Sequence, residues 1–133
     1  GRATHEALVA RGCDVTCIIR TGSRDRLKVS SEAIETDNIF ENSAAWWCDA
    51  LTNMDMVVHL AWYAEPGKYL TSARNLDCLS GTLALAQGAM QAGVMRFVGA
   101  GTCVEYDLRR GLLAPDSPLD PQTPYAAAKA SAT

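Results

Sequence analysis

The chain lacks the features that mark several large classes of protein. It has 12 Lys and Arg against 15 Asp and Glu, so its net charge of −3 offers no basic excess for nucleic acid. Its longest candidate for a membrane span, Leu76 to Met95, is interrupted by polar residues and glycines. The first residues contain no apolar stretch typical of a signal peptide. These absences predict a cytoplasmic protein that binds neither nucleic acid nor membrane.

Paired cysteines and clustered metal ligands are missing too. The five cysteines form no C-x-x-C motif and are odd in number, which favours buried free thiols over a disulfide framework. The two histidines, His5 and His59, lie far apart in the sequence, and we predict no metal site. Hydrophobic residues make up 48% of the 133 residues, which is sufficient for one domain with a modest core.

Helical and strand patterns alternate along the chain. Strands are predicted over residues 13–19, 33–35, 56–61 and 96–100, and helices over 2–10, 43–51, 76–93 and after Pro124. Short apolar strands alternating with helices are typical of βαβ units, so the sequence predicts an α/β fold with a parallel sheet. Trp46 and Trp47 lie in a short amphipathic helix, where core packing is favoured over stacking on a sugar or base.

Two further patterns concern the helices. Leu76, Leu79, Leu83, Ala86 and Met90 form an apolar face on the long helix, which fits packing either on its own sheet or on a partner subunit. Prolines recur at every third position from Pro115 to Pro124. We interpret this segment as a rigid loop leading into the last helix rather than a polyproline recognition motif, since Pro124 suits a first-turn position.

The predicted strands end in residues that are able to meet a ligand. In open parallel sheets ligands bind beyond the carboxyl ends of the strands. One strand here ends at Arg20, the next clear strand at His59-Leu60-Ala61-Trp62, and a third shortly before Thr102. A hydroxyl at Thr102 is in a position to reach a substrate oxygen, although local backbone capping is the simpler interpretation.

Tyr125 and Lys129 are the most informative pair in the chain. They are spaced by about one helical turn, so the phenol and the ammonium share a face of the last helix. A nearby cation favours the ionised form of a phenol, which makes it a usable acid/base near neutral pH. The alternative is an exposed helix with an ordinary tyrosine and a solvated lysine.

Together Thr102, Tyr125 and Lys129 resemble the Ser/Thr–Tyr–Lys set of the short-chain dehydrogenase/reductase superfamily. The resemblance is strongest to its extended branch, the NAD(P)-dependent epimerase/dehydratase family that acts on nucleotide sugars. His59-Leu60-Ala61 after a strand and Gly81-Thr82 in the long helix add to it, and it spans essentially the whole chain. It implies that residues 1–133 are a partial NAD(P)-binding Rossmann domain with a doubly wound parallel sheet.

The resemblance also implies roles for individual residues. Tyr125 is the general acid/base, Lys129 holds the nicotinamide ribose and favours the phenolate, and Thr102 hydrogen-bonds the reacting oxygen. Tyr125 also counts among the cofactor-binding residues, with Gly1, Asp37, Asn38, Leu60, Ala61 and Trp62. Arg20 stands where an acid usually selects NAD, and an Arg there accommodates the 2′-phosphate of NADP, so the cofactor is NAD or NADP with a preference for NADP.

The chain departs from the family pattern in several places. The first strand and its glycine-rich turn are missing, with Gly1 matching the last glycine of that turn, and the C-terminal substrate-binding part is missing too. We therefore expect an incomplete sheet in which the strands ending at Ile19 and Leu60 lack a neighbour. The chain is expected to be a fragment of a homodimeric enzyme and to be inactive alone. Cys78 replaces a frequent family Asn, with Asn75 one turn earlier as its substitute.

The resemblance implies an epimerase or 4-ketoreductase acting on a nucleotide-diphosphate sugar. Dehydratases normally carry Asp-Glu after the Thr, whereas Cys103-Val104 follows Thr102 here. Two alternatives remain: a non-catalytic dinucleotide sensor or scaffold of the same fold, and a reductase of a hydroxysteroid or flavonoid-like ketone.

Overall fold

The helices and strands lie close to where the sequence pattern predicts them. A computed structural model describes residues 1–27 and 30–133. Its main elements in chain order are α1 (Arg2–Ala10), β1 (Thr16–Arg20), β2 (Glu32–Thr36), α2 (Ala44–Ala50), β3 (Met56–His59), α3 (Arg74–Gln91), β4 (Arg96–Gly99) and α4 (Pro124–Ser131). The first strand was predicted from Cys13 and begins later, because the Cys13 N–H donates to the Leu8 carbonyl at 3.1 Å in the cap that ends α1.

The strands form two parallel pairs. β1 pairs with β2, and β3 pairs with β4, with α3 as the crossover of the second pair. Among the described residues, no further strand joins β1 to β3. This confirms the predicted incomplete Rossmann-type sheet, since both strands expected to lack a neighbour have a single partner each. β1 was predicted to be buried and is half-buried, because one of its edges is unpaired.

The core forms where α2 crosses α3. Its buried members are Trp47, Leu51, Val57, Leu85 and Ala89, and Trp46 packs against them, which confirms the core role predicted for both tryptophans. The close packing of α3 depends on Gly81, which meets Phe40 before α2, and on Gly88, which meets α2 itself. A Cβ on Gly81 would lie 2.4 Å from the Phe40 Cα, and one on Gly88 would lie 2.4 Å from the Trp47 Cβ. Only residues without a side chain permit this approach.

The buried face of α3 differs from the apolar face seen in the sequence. Leu76, Leu83 and Met90 are exposed at 62%, 54% and 81%. In the described structure these three side chains therefore do not pack on the sheet of their own chain. The helix instead buries Gly81 and Gly88 together with Leu85 and Ala89, and Gly88 allows the closest contact with α2.

All five cysteines are free thiols, but they are not all buried as predicted. Cys78 is buried, whereas Cys13 and Cys103 are exposed and the remaining two are partly so. Cys13 lies in the cap after α1 and Cys103 in a turn after β4, where neither meets the core. Within the described ranges no helix combines the length and apolarity that crossing a membrane requires.

Candidate active site

The predicted cofactor-binding residues lie mainly at the carboxyl ends of the strands. Asp37 and Asn38 directly follow β2, and Leu60, Ala61 and Trp62 directly follow β3. Arg20 is the exposed last residue of β1, and Gly1 is the exposed N-cap of α1. The Asn38 side chain is engaged within its own turn, where its Oδ1 accepts from the Phe40 N–H at 3.2 Å. Asp37 is therefore the more available of the two for a ligand.

Thr123 and Pro124 fix the start of α4 and thereby place Tyr125 and Lys129. The Thr123 hydroxyl accepts from the Ala126 N–H at 3.1 Å, and Pro124 occupies the first turn as predicted. The Tyr125 N–H has no helical partner at this position and donates to the Leu70 carbonyl at 3.1 Å. The helix is thus attached to the segment that follows β3.

The Lys129 side chain is buried among groups that suit a cation. The residue is 8% exposed, and its Nζ donates to the Ala100 carbonyl and lies 4.2 Å from the centroid of the Trp62 ring. Burial lowers the pKa of Lys129, and the negative charge of Glu105 opposes that fall. The alternative interpretation of Lys129 as a solvated surface lysine is therefore wrong.

Tyr125 is half-buried in an aromatic cluster with Trp62 and Tyr69. Its ring centroid lies 4.8 Å from that of Tyr69 and 6.4 Å from that of Trp62, with nearly perpendicular planes in both cases. Trp62 thus contacts both members of the pair, Tyr125 as an aromatic neighbour and Lys129 as a cation over its ring.

Asn75 on α3 holds this aromatic cluster in place. Its side-chain amide is fully buried; its Oδ1 accepts from the Trp62 Nε1 at 2.9 Å, and its Nδ2 donates to the carbonyls of Tyr69 and Ser72 at 2.6 and 2.8 Å. A buried amide with three hydrogen bonds orders the segment it spans. Asn75 therefore supports the aromatic cluster, and the Cys78 Sγ adds a bond to the same segment by accepting from the Tyr63 N–H at 3.4 Å.

Thr102 is the N-cap of a 3₁₀ turn, Cys103–Glu105, that follows β4. Its N–H donates to the Glu105 Oε1 at 2.7 Å, and the two residues form a capping box. The capping interpretation of Thr102 is thus correct. It is compatible with a role at the site, because Thr102 also lines a cavity.

That cavity has a volume of about 440 Å³ and lies where the end of β4, the 3₁₀ turn and α4 meet. Thr102, Lys129 and Trp62 line it, together with His59 and Glu105. Tyr125 is not one of the lining residues and adjoins them through the Trp62 ring. Thr102 and Lys129 therefore share one cavity, and the convergence of Tyr125 on the same ligand stays a prediction.

His59 forms one wall of the cavity as a neutral imidazole. The Thr82 hydroxyl donates to the Cys78 carbonyl at 2.7 Å, so it accepts from the His59 Nε2, which is 2.9 Å away. Burial, followed by the charge of Lys129, lowers the pKa of His59 to about 4. The histidine and threonine of the two sequence motifs are thus bonded to each other.

Sequence reasoning missed Glu105, the most deeply buried carboxylate at the site, with 2% exposure. The sequence does contain a pattern that identifies it, because Thr102-x-x-Glu105 has the spacing of a capping box. The described residues contain no group of three or more His, Cys, Asp or Glu side chains arranged to hold a metal ion.

Comparison with known proteins gives one family and a consistent set of structures. The model of the NAD dependent epimerase/dehydratase family matches residues 1–133. No curated protein matches the sequence significantly. An NAD-dependent NDP-hexosamine 5,6-dehydratase, TunA, involved in tunicamycin biosynthesis, is 25% identical with a TM-score of 0.70, and the match covers 95% of this chain and 41% of that one.

Two other structures are similar over nearly the whole chain. MoeE5 in complex with UDP-glucuronic acid and NAD is 25% identical with a TM-score of 0.74, over 98% of this chain and 42% of that one. A UDP-N-acetylglucosamine 4-epimerase from Bacillus cereus is 23% identical with a TM-score of 0.71, over 96% and 42%. The chain thus spans about two fifths of the length of the structures it matches.

Proposed function

The chain belongs to the NAD dependent epimerase/dehydratase family. From this premise we propose that it is part of an NAD(P)-dependent nucleotide-sugar epimerase or 4-ketoreductase. The observation that carries the proposal is the burial of Lys129 beside the end of β4, on one cavity with Thr102 and on one helix face with Tyr125. In this proposal residues 1–133 form a single NAD(P)-binding Rossmann unit.

Each member of the set has a separate task in the proposed reaction. Tyr125 accepts a proton from the sugar oxygen, or returns one to it. The Lys129 ammonium, held close by the shared helix turn, favours the phenolate. The Thr102 N–H is already bonded to Glu105, so its hydroxyl is the group left to donate to the reacting oxygen.

The strand ends suit a dinucleotide cofactor, which would accept and return the hydride. We propose that the start of α1, with Gly1 as its N-cap, faces a phosphate group of the cofactor. Arg20, Asp37 and Leu60 have exposed side chains at the ends of β1, β2 and β3. We propose that Asp37, with Asn38, contacts adenine, that Leu60, Ala61 and Trp62 contact the pyrophosphate and ribose, and that Lys129 holds the nicotinamide ribose.

The proposed substrate is a nucleotide-diphosphate sugar. The matched structures include one described as an NDP-hexosamine dehydratase and one holding UDP-glucuronic acid with NAD. Epimerisation or 4-keto reduction is preferred over dehydration, because Cys103 and Val104 after Thr102 lack the acidic side chains of a dehydratase. A homodimer fits the exposed stripe of Leu76, Leu83 and Met90 on α3. The cytoplasmic location stays a prediction.

Isotope transfer tests this function directly. The complete gene product is incubated with NAD⁺ or NADPH and a panel of UDP- and dTDP-hexoses or their 4-keto forms. An epimerase inverts C4 in D₂O without taking up deuterium there, whereas a ketoreductase transfers deuterium from 4-deuterated NADPH to C4. Saturable cofactor binding without turnover of any sugar would favour the non-catalytic sensor or scaffold. Turnover of a hydroxysteroid or flavonoid-like ketone alone would favour the ketone reductase.

Arg20 is expected to set a preference for NADP. A charge-assisted hydrogen bond to phosphate contributes about 1.5–3 kcal/mol, so Arg20→Ala should reduce the ratio of kcat/KM for NADP over NAD about tenfold or more. The measurement is steady-state kinetics with both cofactors in the complete gene product.

Arg96→Ala is the matched control for this experiment. Arg96 is also exposed but begins β4, at the opposite end of a parallel strand from the proposed site. Its replacement should leave the ratio unchanged. An unaltered ratio in Arg20→Ala would refute the preference for NADP while leaving the catalytic proposal intact.

A further inference from the structure

The carboxylate of Glu105 is buried at the site without being one of the family-pattern residues. It is 2% exposed, in the turn that follows β4, and its Oε1 accepts from the Thr102 N–H at 2.7 Å. A fully buried carboxylate is unfavourable unless it is hydrogen-bonded and faces positive charge. Its retention here calls for a partner beyond the Thr102 amide.

The backbone around Glu105 leaves room for this carboxylate and fixes the turn. A Cβ on Gly101 would lie 3.5 Å from the Glu105 Oε1, so the residue before Thr102 borders the carboxylate. The Glu105 carbonyl accepts from the Asp120 N–H at 3.0 Å, which joins the turn to the proline segment. The Thr133 hydroxyl lies 3.4 Å from the Oε2 and 3.2 Å from the Lys129 carbonyl, so its single hydrogen has an acceptor in either direction. Glu105 thus contacts the end of α4 as well as Thr102.

Lys129 is the cation that shares a cavity with Glu105. Other titratable groups near Lys129 include His59 on β3, which is neutral, and Cys78 on α3, whose thiol pKa is raised by burial. Cys103 and Tyr106 line the same cavity. The negative charge of a Glu105 carboxylate counters the fall that burial causes in the Lys129 pKa.

We propose that Glu105 is a positioning residue of the site: its buried carboxylate fixes Thr102 through the backbone amide and supplies the counter-charge that keeps Lys129 an ammonium. This inference rests on the proposed function for its consequence in turnover. Its physical content, the coupling between Glu105 and Lys129, is measurable without turnover.

Glu105→Gln separates the two tasks. Its amide oxygen still accepts from the Thr102 N–H, whereas the charge is gone. The experiment follows the titration of lysine side chains labelled with ¹³C at Cε by NMR in the complete gene product. The Lys129 midpoint should fall by about one pH unit, since a nearby opposite charge shifts a pKa by about 1–3 units. Exposed Lys68 is the internal control, with a titration curve that should superimpose in all variants.

Turnover should follow the same shift. The Lys129 ammonium is present below its pKa, so a lower pKa moves the alkaline decline of kcat to lower pH by about one unit in Glu105→Gln. Glu105→Asp keeps the charge and should restore the Lys129 midpoint and most of the alkaline limb. A role confined to packing would predict lower stability with no movement of either curve.

The possible outcomes discriminate between the two proposals. An unchanged Lys129 midpoint in folded Glu105→Gln overturns the inference. If that variant does not fold, hydrogen exchange of the wild-type Thr102 amide decides, because a capped amide exchanges slowly and rapid exchange overturns the proposal. Absence of turnover in the wild type refutes the proposed function, and the NMR titration still tests the coupling.

Discussion

Replacing Tyr125 by Phe in the complete gene product is expected to lower kcat for sugar turnover by about 10²–10⁴, the usual contribution of a positioned general acid or base. The ring stays, so its perpendicular contacts with Tyr69 and Trp62 are retained and the fold should be unaffected. Cofactor affinity should change little, because Lys129 keeps its bond to the Ala100 carbonyl and its place over Trp62. Steady-state kinetics together with NAD(P) titration measure both quantities.

Tyr63→Phe is the matched control for this experiment. The Tyr63 hydroxyl donates to exposed Glu65 at 2.8 Å, away from the cavity, so its loss should leave kcat unchanged. Full turnover in Tyr125→Phe would refute the acid/base role. A loss of cofactor binding equal to the loss of kcat would instead assign Tyr125 a binding role.

The second large effect is expected in stability, from Gly81→Ala. An added Cβ would lie 2.4 Å from the Cα and 2.7 Å from the carbonyl oxygen of Phe40, and these backbone atoms are unable to rotate away. Overpacking of a core contact destabilises by about 1–3 kcal/mol and occasionally more, whereas Ala in place of Gly stabilises a helix by about 1 kcal/mol. Because the contact is so short, we expect overpacking to prevail, with a net loss of about 2 kcal/mol.

Thermal unfolding of the complete gene product checks this prediction. The Tm should fall by several degrees, given roughly 2–4 °C per kcal/mol for a chain of about 150–250 residues. Gln87→Ala introduces Ala on the same helix at an exposed position, so it should leave Tm nearly unchanged. A Tm raised by Gly81→Ala would show that Phe40 and α3 separate more easily than the structure indicates.

Local sequence patterns predicted most of the elements and part of the site. The β-branched run ending at Ile19 forms β1, and alternation with helices identified the parallel pairs, since periodicity is a property of neighbouring residues. The pattern failed at Leu76, Leu83 and Met90 of α3, which are exposed, whereas Leu85 and Ala89 join the core. Sequence hydrophobicity favours leucine over glycine for burial, but the close crossing with α2 requires glycine.

For the candidate site, features that depend on neighbouring residues were predictable from the sequence, and features that depend on distant segments were not. The first-turn position of Pro124 and the spacing of Tyr125 and Lys129 were predicted from the sequence alone, because each involves only a few consecutive residues. Tertiary structure alone decided that Lys129 is buried against the Trp62 ring. The same is true of the position of Glu105 on the cavity that Lys129 lines. These environments are assembled from chain segments far apart in sequence, and burial and electrostatic coupling depend on which segments meet.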